Sequence, residues 1–425
     1  MLDHSLIDQS LTAKRWVVGL SGGVDSVVLL HLLTQIPNHP PIVALHVNHQ
    51  MQSEANQWQS FCKKQASALS VDFIGIAVDV DSAGNLEENA RNARFNAFIH
   101  FCSADDVLML GHHLQDQTET FFYRLFRGAG VKGLLGIPSK RMQGDVTIVR
   151  PLLNTARPSI ENYAEHHQLA FIDDPSNKDK RFDRNFIRQA MLPMVRMRWH
   201  GVDQKITQTI ARLRDAQSCL NDLAIMDLAE AEPLDGVEPS IDFMALQKFS
   251  AARVDNALRY WLNSFGLNLS AKQLAALKSE VIEAKHDANP KLIVSGCIIR
   301  RYRTRLYLTV ELNASKLSVW HTDNALMVAG FLYEASHACS KKFAIRYADE
   351  VKQIKLAANR PTKNVKQVYQ SLNVPPWRRA AIPWFFFQDE CVAIGEYLIT
   401  EAGKKLVDQN FTVSVRHSTD FSNKI

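Results

Sequence analysis

Through the first 200 residues the apolar positions switch repeatedly between two periods. Short runs of strand length occur at Trp16–Leu20, Ile42–Val47, Phe73–Val78, Val107–Leu110 and Val146–Val149. Between them, Val24–Leu33, Ser53–Leu69, Leu86–Phe101 and Gln115–Phe126 carry helical spacing. Strand and helix in alternation predict an α/β domain: a parallel sheet with right-handed crossovers and helices on both faces. Ligands of such sheets bind beyond the carboxyl ends of the strands. The loops after Leu20, Val47, Val78 and Leu110 are therefore the candidate sites. From Ile206 the pattern turns helical, over Ile206–Glu230, Asp242–Leu262 and Ala271–Ala284, followed by a β-like segment at Lys291–Leu308. After residue 315 come many short apolar runs and a Pro-Pro pair at 375–376. Three domains are predicted: 1–205, α/β and catalytic; 206–315, mostly helical; 316–425, a small α+β module.

Composition adds little to this division. Of 425 residues, 46% are hydrophobic and 22% charged, which excludes a mostly disordered chain. Lys plus Arg number 49 and Asp plus Glu 44, and a net +5 spread over this length neither announces nor excludes a nucleic-acid partner. Six cysteines contain no C-x-x-C, so no zinc knuckle, redox pair or cluster cradle is expected. The first ten residues have no apolar core and no run is long enough to span a membrane. The expectation is a cytoplasmic protein without membrane contact.

The first loop carries chemistry. In WVVGLSGGVDSVVLL, Ser21-Gly22-Gly23-Val24-Asp25-Ser26 stands where a strand ends and a helix begins. Glycines let backbone N–H groups approach an anion, hydroxyls donate to its oxygens, and the helix start favours negative charge. No Gly-Lys-Ser/Thr follows, so this is not a Walker A loop. The acid inside the loop, Asp25, makes sense beside a magnesium ion carried by a nucleotide. The plain alternative is a tight turn that uses glycine. At the later strand end, Gly111-His112-His113 precedes Gln115-Asp116-Gln117-Thr118-Glu119-Thr120. Asp116 and Glu119 share a helix face near its N-terminus, fit to receive an amine or hold magnesium, or to cap the helix. His112 is a candidate catalytic group or a structural histidine.

The S-G-G-x-D-S loop resembles that of the N-type ATP pyrophosphatases. With H-H-x-x-D-Q-x-E-T and the following Arg124–Leu134 segment, the chain resembles the tRNA(Ile)-lysidine synthetase family within that superfamily. The resemblance implies a Rossmann-like, adenine nucleotide alpha hydrolase-like domain that splits ATP into AMP and pyrophosphate. It further implies adenylation of C2 of the wobble cytidine of tRNA(Ile) with a CAU anticodon, and displacement of AMP by free L-lysine. Carried onto this chain, Ser21, Gly22, Gly23, Val24, Asp25, Ser26, Val47, Arg94 and Gly111 would hold ATP, with magnesium at Asp25. Asp25, Asp116, Glu119, His112 and Arg188 would serve catalysis. Two departures from the family pattern stand out: Gln115 replaces a first acid, and His49-Gln50-Met51-Gln52 replaces H-G-L-R.

Arginines supply the expected RNA contacts. Arg184 and Arg188, four apart in R-N-x-I-R, would face one way and suit phosphate or a local Asp. Arg300-Arg301-Tyr302-Arg303-Thr304-Arg305 is the densest basic run. As one strand it would align Arg301, Arg303 and Arg305, as an RNA groove or a solvated edge. In the last module Arg360, Lys363, Lys366, Arg378 and Arg379 would form a basic surface, with Trp377 and Trp384 packed. The expected RNA contacts are thus Arg184, Arg301, Arg303, Lys366 and Arg378. A homodimer is compatible with the sequence. The competing readings are a tRNA thiolation enzyme of the same adenylating chemistry, a GMP or NAD synthetase-like enzyme, and a non-catalytic RNA-binding protein.

Overall fold

A computed structural model describes the chain apart from residues 51–53, 81–85, 175–178, 180, 234–237, 286–287, 313–316, 336–341, 352, 355–360, 407–412 and 418–425. Met51, Gln52, Ser53 and Arg360 of the sequence reading lie outside the described residues. The chain divides into two compact units, Met1–Ser218 and Cys219–Ile425.

In the first unit the order is α1 (His4–Ser10), β1 (Arg15–Gly19), α2 (Val24–Thr34), β2 (Ile42–Asn48), α3 (Ala55–Ala68), β3 (Asp72–Ala77), α4 (Leu86–Phe101), β4 (Asp106–Met109) and α5 (Leu114–Phe126). β5 (Lys140–Gln143), β6 (Val146–Val149), α6 (Arg157–His166), α7 (Asp183–Phe186) and α8 (Leu192–Arg198) follow, and α9 (Val202–Glu230) is one helix that runs on past residue 218. The sheet order is β3-β2-β1-β4-β6-β5. Every neighbour pair is parallel except β5 with β6, an antiparallel edge hairpin. The apolar runs of β1, β2, β4 and β6 are strands because both faces are covered, whereas β3 is a partly exposed edge. Alternation in β1 sends Trp16 and Val18 to a core with Leu29 and Leu30, and Val17 to the opposite core with Leu45, Leu108 and Ile148. β5 is absent from the hydrophobic pattern: KRMQ holds one apolar residue, and an edge strand needs little burial.

In the second unit, β7 (Ser240–Asp242), α10 (Phe243–Leu246), α11 (Ala251–Ser264), α12 (Ala271–Ala276), β8 (Lys291–Val294), β9 (Cys297–Tyr302) and β10 (Arg305–Thr309) follow α9. The region read as mostly helical thus also holds a four-stranded antiparallel sheet, β7-β10-β9-β8, onto which Leu258 and Leu262 of α11 pack. The remaining described residues form a five-stranded, a three-stranded and a two-stranded antiparallel sheet with short helices.

The basic run 300–305 is not one strand. β9 ends at Tyr302, Arg303 turns with φ +56°, and β10 begins at Arg305. Arg301 therefore points to the end of the preceding helical segment, donating to the carbonyls of Ile282, Ala284 and Lys285 at 2.7–2.8 Å. Arg305 donates to the carbonyls of Glu232 and Ser240. Arg303 is exposed at the turn, against Tyr302. Arg378, expected on the basic surface, is only 2% exposed. It donates to Glu396 at 2.8 Å and lies 3.8 Å from Glu238, because its long side chain crosses the core beneath the Phe331 ring. Trp384 is fully buried, donating to Tyr369 Oη, and Trp377 Nε1 donates to Glu238. Lys366 is exposed on a helix over Val365–Ser371.

Candidate active site

The glycine loop joins β1 to α2 at the carboxyl edge of the sheet. Gly23 caps α2 with an extended backbone. Gly22 has φ +90°, a backbone conformation that calls for glycine, and a Cβ there would also press on Ile172 Cδ1 at 2.8 Å. The hydroxyls hold the turn from within: Ser26 Oγ donates to the Gly23 carbonyl at 2.9 Å and accepts from the Ser21 amide at 3.2 Å. Gly111 follows β4 where a Cβ would stand 3.0 Å from the Asp25 carbonyl oxygen. Its smallness lets the end of β4 meet the first turn of α2.

A cavity of about 500 Å³ opens at this edge. Ser21, Asp25, Ser26, Val47, Arg94, Gly111, His112 and Arg184 are among its lining residues. Gly22, Gly23 and Val24 shape the loop without lining it, and Val24 is buried. Three polar atoms at the cavity are buried without a hydrogen-bond partner among the described residues, Asp25 Oδ1, His49 Nδ1 and His112 Nδ1. Burial raises the Asp25 carboxyl above its ordinary range, against the pull of His113 and Arg157. Burial likewise pushes His112 down to about 3, so its ring is neutral. His49, also at the cavity, falls to about 4 through burial and the charge of Arg94.

Beside the cavity lies a network of acids and arginines. His113 caps α5: its Nδ1 accepts from the Gln115 amide, and Asp116 Oδ2 accepts from the His113 amide at 2.9 Å. His113 Nε2 stands 3.7 Å from Asp25 Oδ1 and 3.6 Å from Asp116 Oδ2, bridging the two motifs. Glu119, 1% exposed, takes a two-pronged contact from Arg188 at 2.6 and 2.7 Å. Arg184 approaches Asp116 and Glu119 at 3.4 Å each, and Arg188 reaches Asp116 at 3.5 Å. Burial alone would raise the Asp116 carboxyl, but His113, His112, Arg184 and the His113 amide hold it well below the usual range. Burial opposes the charge of Arg188, yet Glu119 and Asp116 raise its affinity for the proton.

The two acids predicted to share a face therefore do so, and Asp116 is also a helix cap. The arginines expected to grip phosphate are turned instead onto carboxylates 65 and 69 residues away. The sequence reading missed this pairing and the part of His113. It also missed Gln115, whose Oε1 accepts from the Arg157 amide at 2.8 Å and so ties α5 to α6. The His-x-x-Asp spacing of a capping box was the one available signal, for His113.

Comparison with known proteins agrees with this geometry. The PP-loop domain family matches residues 3–195, the TilS substrate binding domain 242–307 and the TilS substrate C-terminal domain 343–414. A protein of Serratia proteamaculans named tRNA(Ile)-lysidine synthase is 34% identical over 424 residues, covering 95% of each chain. Its namesake in Haemophilus influenzae is 34% identical, covering 90% of this chain and 94% of its own. A third, from Legionella pneumophila, is 32% identical over 91% of this chain and 92% of its own. With identity at this level over nearly the full length, and its PP-loop assembled at one sheet edge, the chain belongs to the tRNA(Ile)-lysidine synthase family.

Proposed function

We propose that this ATP-binding, tRNA-modifying ligase joins free L-lysine to C2 of cytidine 34 of tRNA(Ile) with a CAU anticodon, so that the tRNA reads AUA in place of AUG. In the first step the cytidine O2 attacks the α-phosphorus of ATP. The O2–P bond forms, the bond to the β-phosphate breaks, and pyrophosphate leaves. In the second step a neutral amine of lysine attacks C2, AMP departs with O2, and the amine loses a proton.

The observation that carries this reading is the bridge Asp25–His113–Asp116, which brings a phosphate loop and an acidic site to one cavity edge. The loop amides and the Ser21 and Ser26 hydroxyls would bind the leaving pyrophosphate, and electrostatic placement would supply most of the rate gain. The orphaned Oδ1 of Asp25 fits one ligand position of a magnesium ion arriving on ATP. Among the described residues no group of three acids, histidines or cysteines is arranged to hold a resident metal. Such an ion would neutralise phosphate charge. Arg94, which faces the same cavity, would add to that.

A lysine ammonium at the acidic pair must compete with Arg184 and Arg188. Asp116, whose guanidinium contacts are long, is the better seat for it, whereas Glu119 is already held by Arg188. Arg188 and Glu119 would then act as positioning residues for Asp116. The thiolation reading needs a reactive thiol, and burial pushes both Cys62 and Cys102 up to about 12.

The test is pyrophosphate release with ATP, lysine and tRNA(Ile) bearing CAU. Lysidine formation that requires all three is expected. Adenylation without lysine transfer would leave the superfamily chemistry and overturn the ligation.

A further inference from the structure

A second cavity, of about 630 Å³, lies beside the first in the same unit. Arg91, Phe95 and Arg184 line both. The second adds Arg124 and Arg127 from the end of α5 and Arg141 from β5, the antiparallel edge strand. No carboxylate is among its described lining residues. Cations from four separate elements thus converge on one hollow, which an ordinary solvated surface would intersperse with acids.

The partners of these arginines point the same way. Arg141 is stacked over the Phe95 ring at 5.0 Å, and its buried Nε has no partner among the described residues. Burial lowers its affinity for the proton, as it does for Arg124, with Arg184 adding to the second. Arg127 donates to Tyr123 Oη at 2.6 Å and lies over that ring. Arg124 donates to the carbonyls of Gly133 and Gly136, and this braces the loop after α5. Among the described residues no acid pairs with Arg124, Arg127 or Arg141. A multivalent anion would relieve their mutual repulsion and complete the donor set of Arg141.

We infer that this second cavity binds a phosphodiester of the substrate RNA immediately beside the reacting nucleotide. The inference rests on the proposed function, since it takes the first cavity as the seat of the target base. The shared wall explains the choice of ligand. A strand whose base enters the first cavity must carry its neighbouring phosphate past Arg184 and Arg91. Arg127 and Arg141 then fix the strand by charge while the first cavity handles chemistry. Inorganic pyrophosphate is the rival anion of similar chemistry, on its way out.

The test uses full-length protein with Arg127→Glu and Arg141→Gln, singly and together, and Arg141→Lys as the charge-keeping control. Binding of tRNA(Ile) is measured by fluorescence anisotropy against salt, without ATP or lysine. The double variant should bind about ten-fold or more weakly, with a salt slope smaller by about 1.4, two single-strand contacts of about 0.7 each. Arg141→Lys should recover most of the affinity. The Michaelis constants for ATP and lysine should stay unchanged. Wild-type affinity and slope in the double variant would overturn the proposal. So would unchanged tRNA binding together with weakened inhibition by pyrophosphate, which would make the cavity its exit. Because the readout is binding, tRNA that binds without being ligated would sink the proposed function and leave the cavity standing. Lysidine made at normal tRNA affinity by the double variant would do the reverse.

Discussion

Two sets of arginines in this chain have opposite histories. The run at 300–305 is the densest basic stretch in the sequence, yet Arg301 and Arg305 are consumed by backbone carbonyls of their own unit. Arg91, Arg124, Arg127, Arg141 and Arg184 are scattered over nearly a hundred residues, yet line one cavity. Cations close in sequence on a hairpin are divided among its two strands and turn. Cations far apart can be collected by a sheet edge and the helices that flank it. Linear charge density is therefore a poor guide to an RNA-binding surface, and what each guanidinium faces is a better one.

The comparison can be broken at several points. The largest effect is expected at the acidic network. Asp116→Asn should reduce lysidine formation by about 100-fold or more, the scale of losing one preorganised charge in a site, while circular dichroism shows an intact fold. Full activity would remove Asp116 from the site. Next comes Arg378, read here as a core residue. Arg378→Met leaves Glu396 and Glu238 facing an apolar side chain, and breaking a buried pair in this way costs about 3–5 kcal/mol, seen as a lowered urea midpoint. Adding Glu396→Gln should recover part of that loss. If Arg378→Met instead weakened tRNA binding at unchanged stability, the residue would belong on the surface after all.

Smaller effects separate the two arginine sets directly. Arg301→Ala should lose about 1.5–3 kcal/mol of stability, the range for a hydrogen bond involving a charged group, with tRNA affinity unchanged. Unaltered stability with raised tRNA dissociation would restore the groove reading of that segment. The smallest effect on stability is at Asp25. Its carboxyl is raised in the folded state by burial, so its favourable contribution is complete below the unfolded value, near pH 4, and is lost as pH rises through the folded value. Asp25→Asn should accordingly raise Tm slightly at pH 7, lose that advantage below about pH 4, and abolish ATP-dependent turnover. A lowered Tm at pH 7 would show that the carboxylate stabilises the loop.

Much of the first unit was legible because its signals are local. Strand-length runs, helical spacing and the S-G-G-x-D-S turn each depend on neighbours within a few residues, and the described strands and helices of the parallel sheet follow them closely. The turn at Arg303 escaped notice because Tyr-Arg-Thr contains neither Gly nor Asn to advertise its left-handed backbone. The β5 hairpin did so because an edge strand needs no apolar alternation.

The sequence by itself determined the order of elements, the glycine loop and the placing of Asp116 and Glu119 on one helical face, since these are set by backbone sterics and short-range periodicity. Only the tertiary structure decided which charges meet. It turned Arg184 and Arg188 onto those acids, buried Arg378 beside Glu396, and gathered Arg124, Arg127 and Arg141 around one hollow. Such contacts join residues tens of positions apart. Coulomb energy depends on distance in space and on burial, and neither is written in separation along the chain.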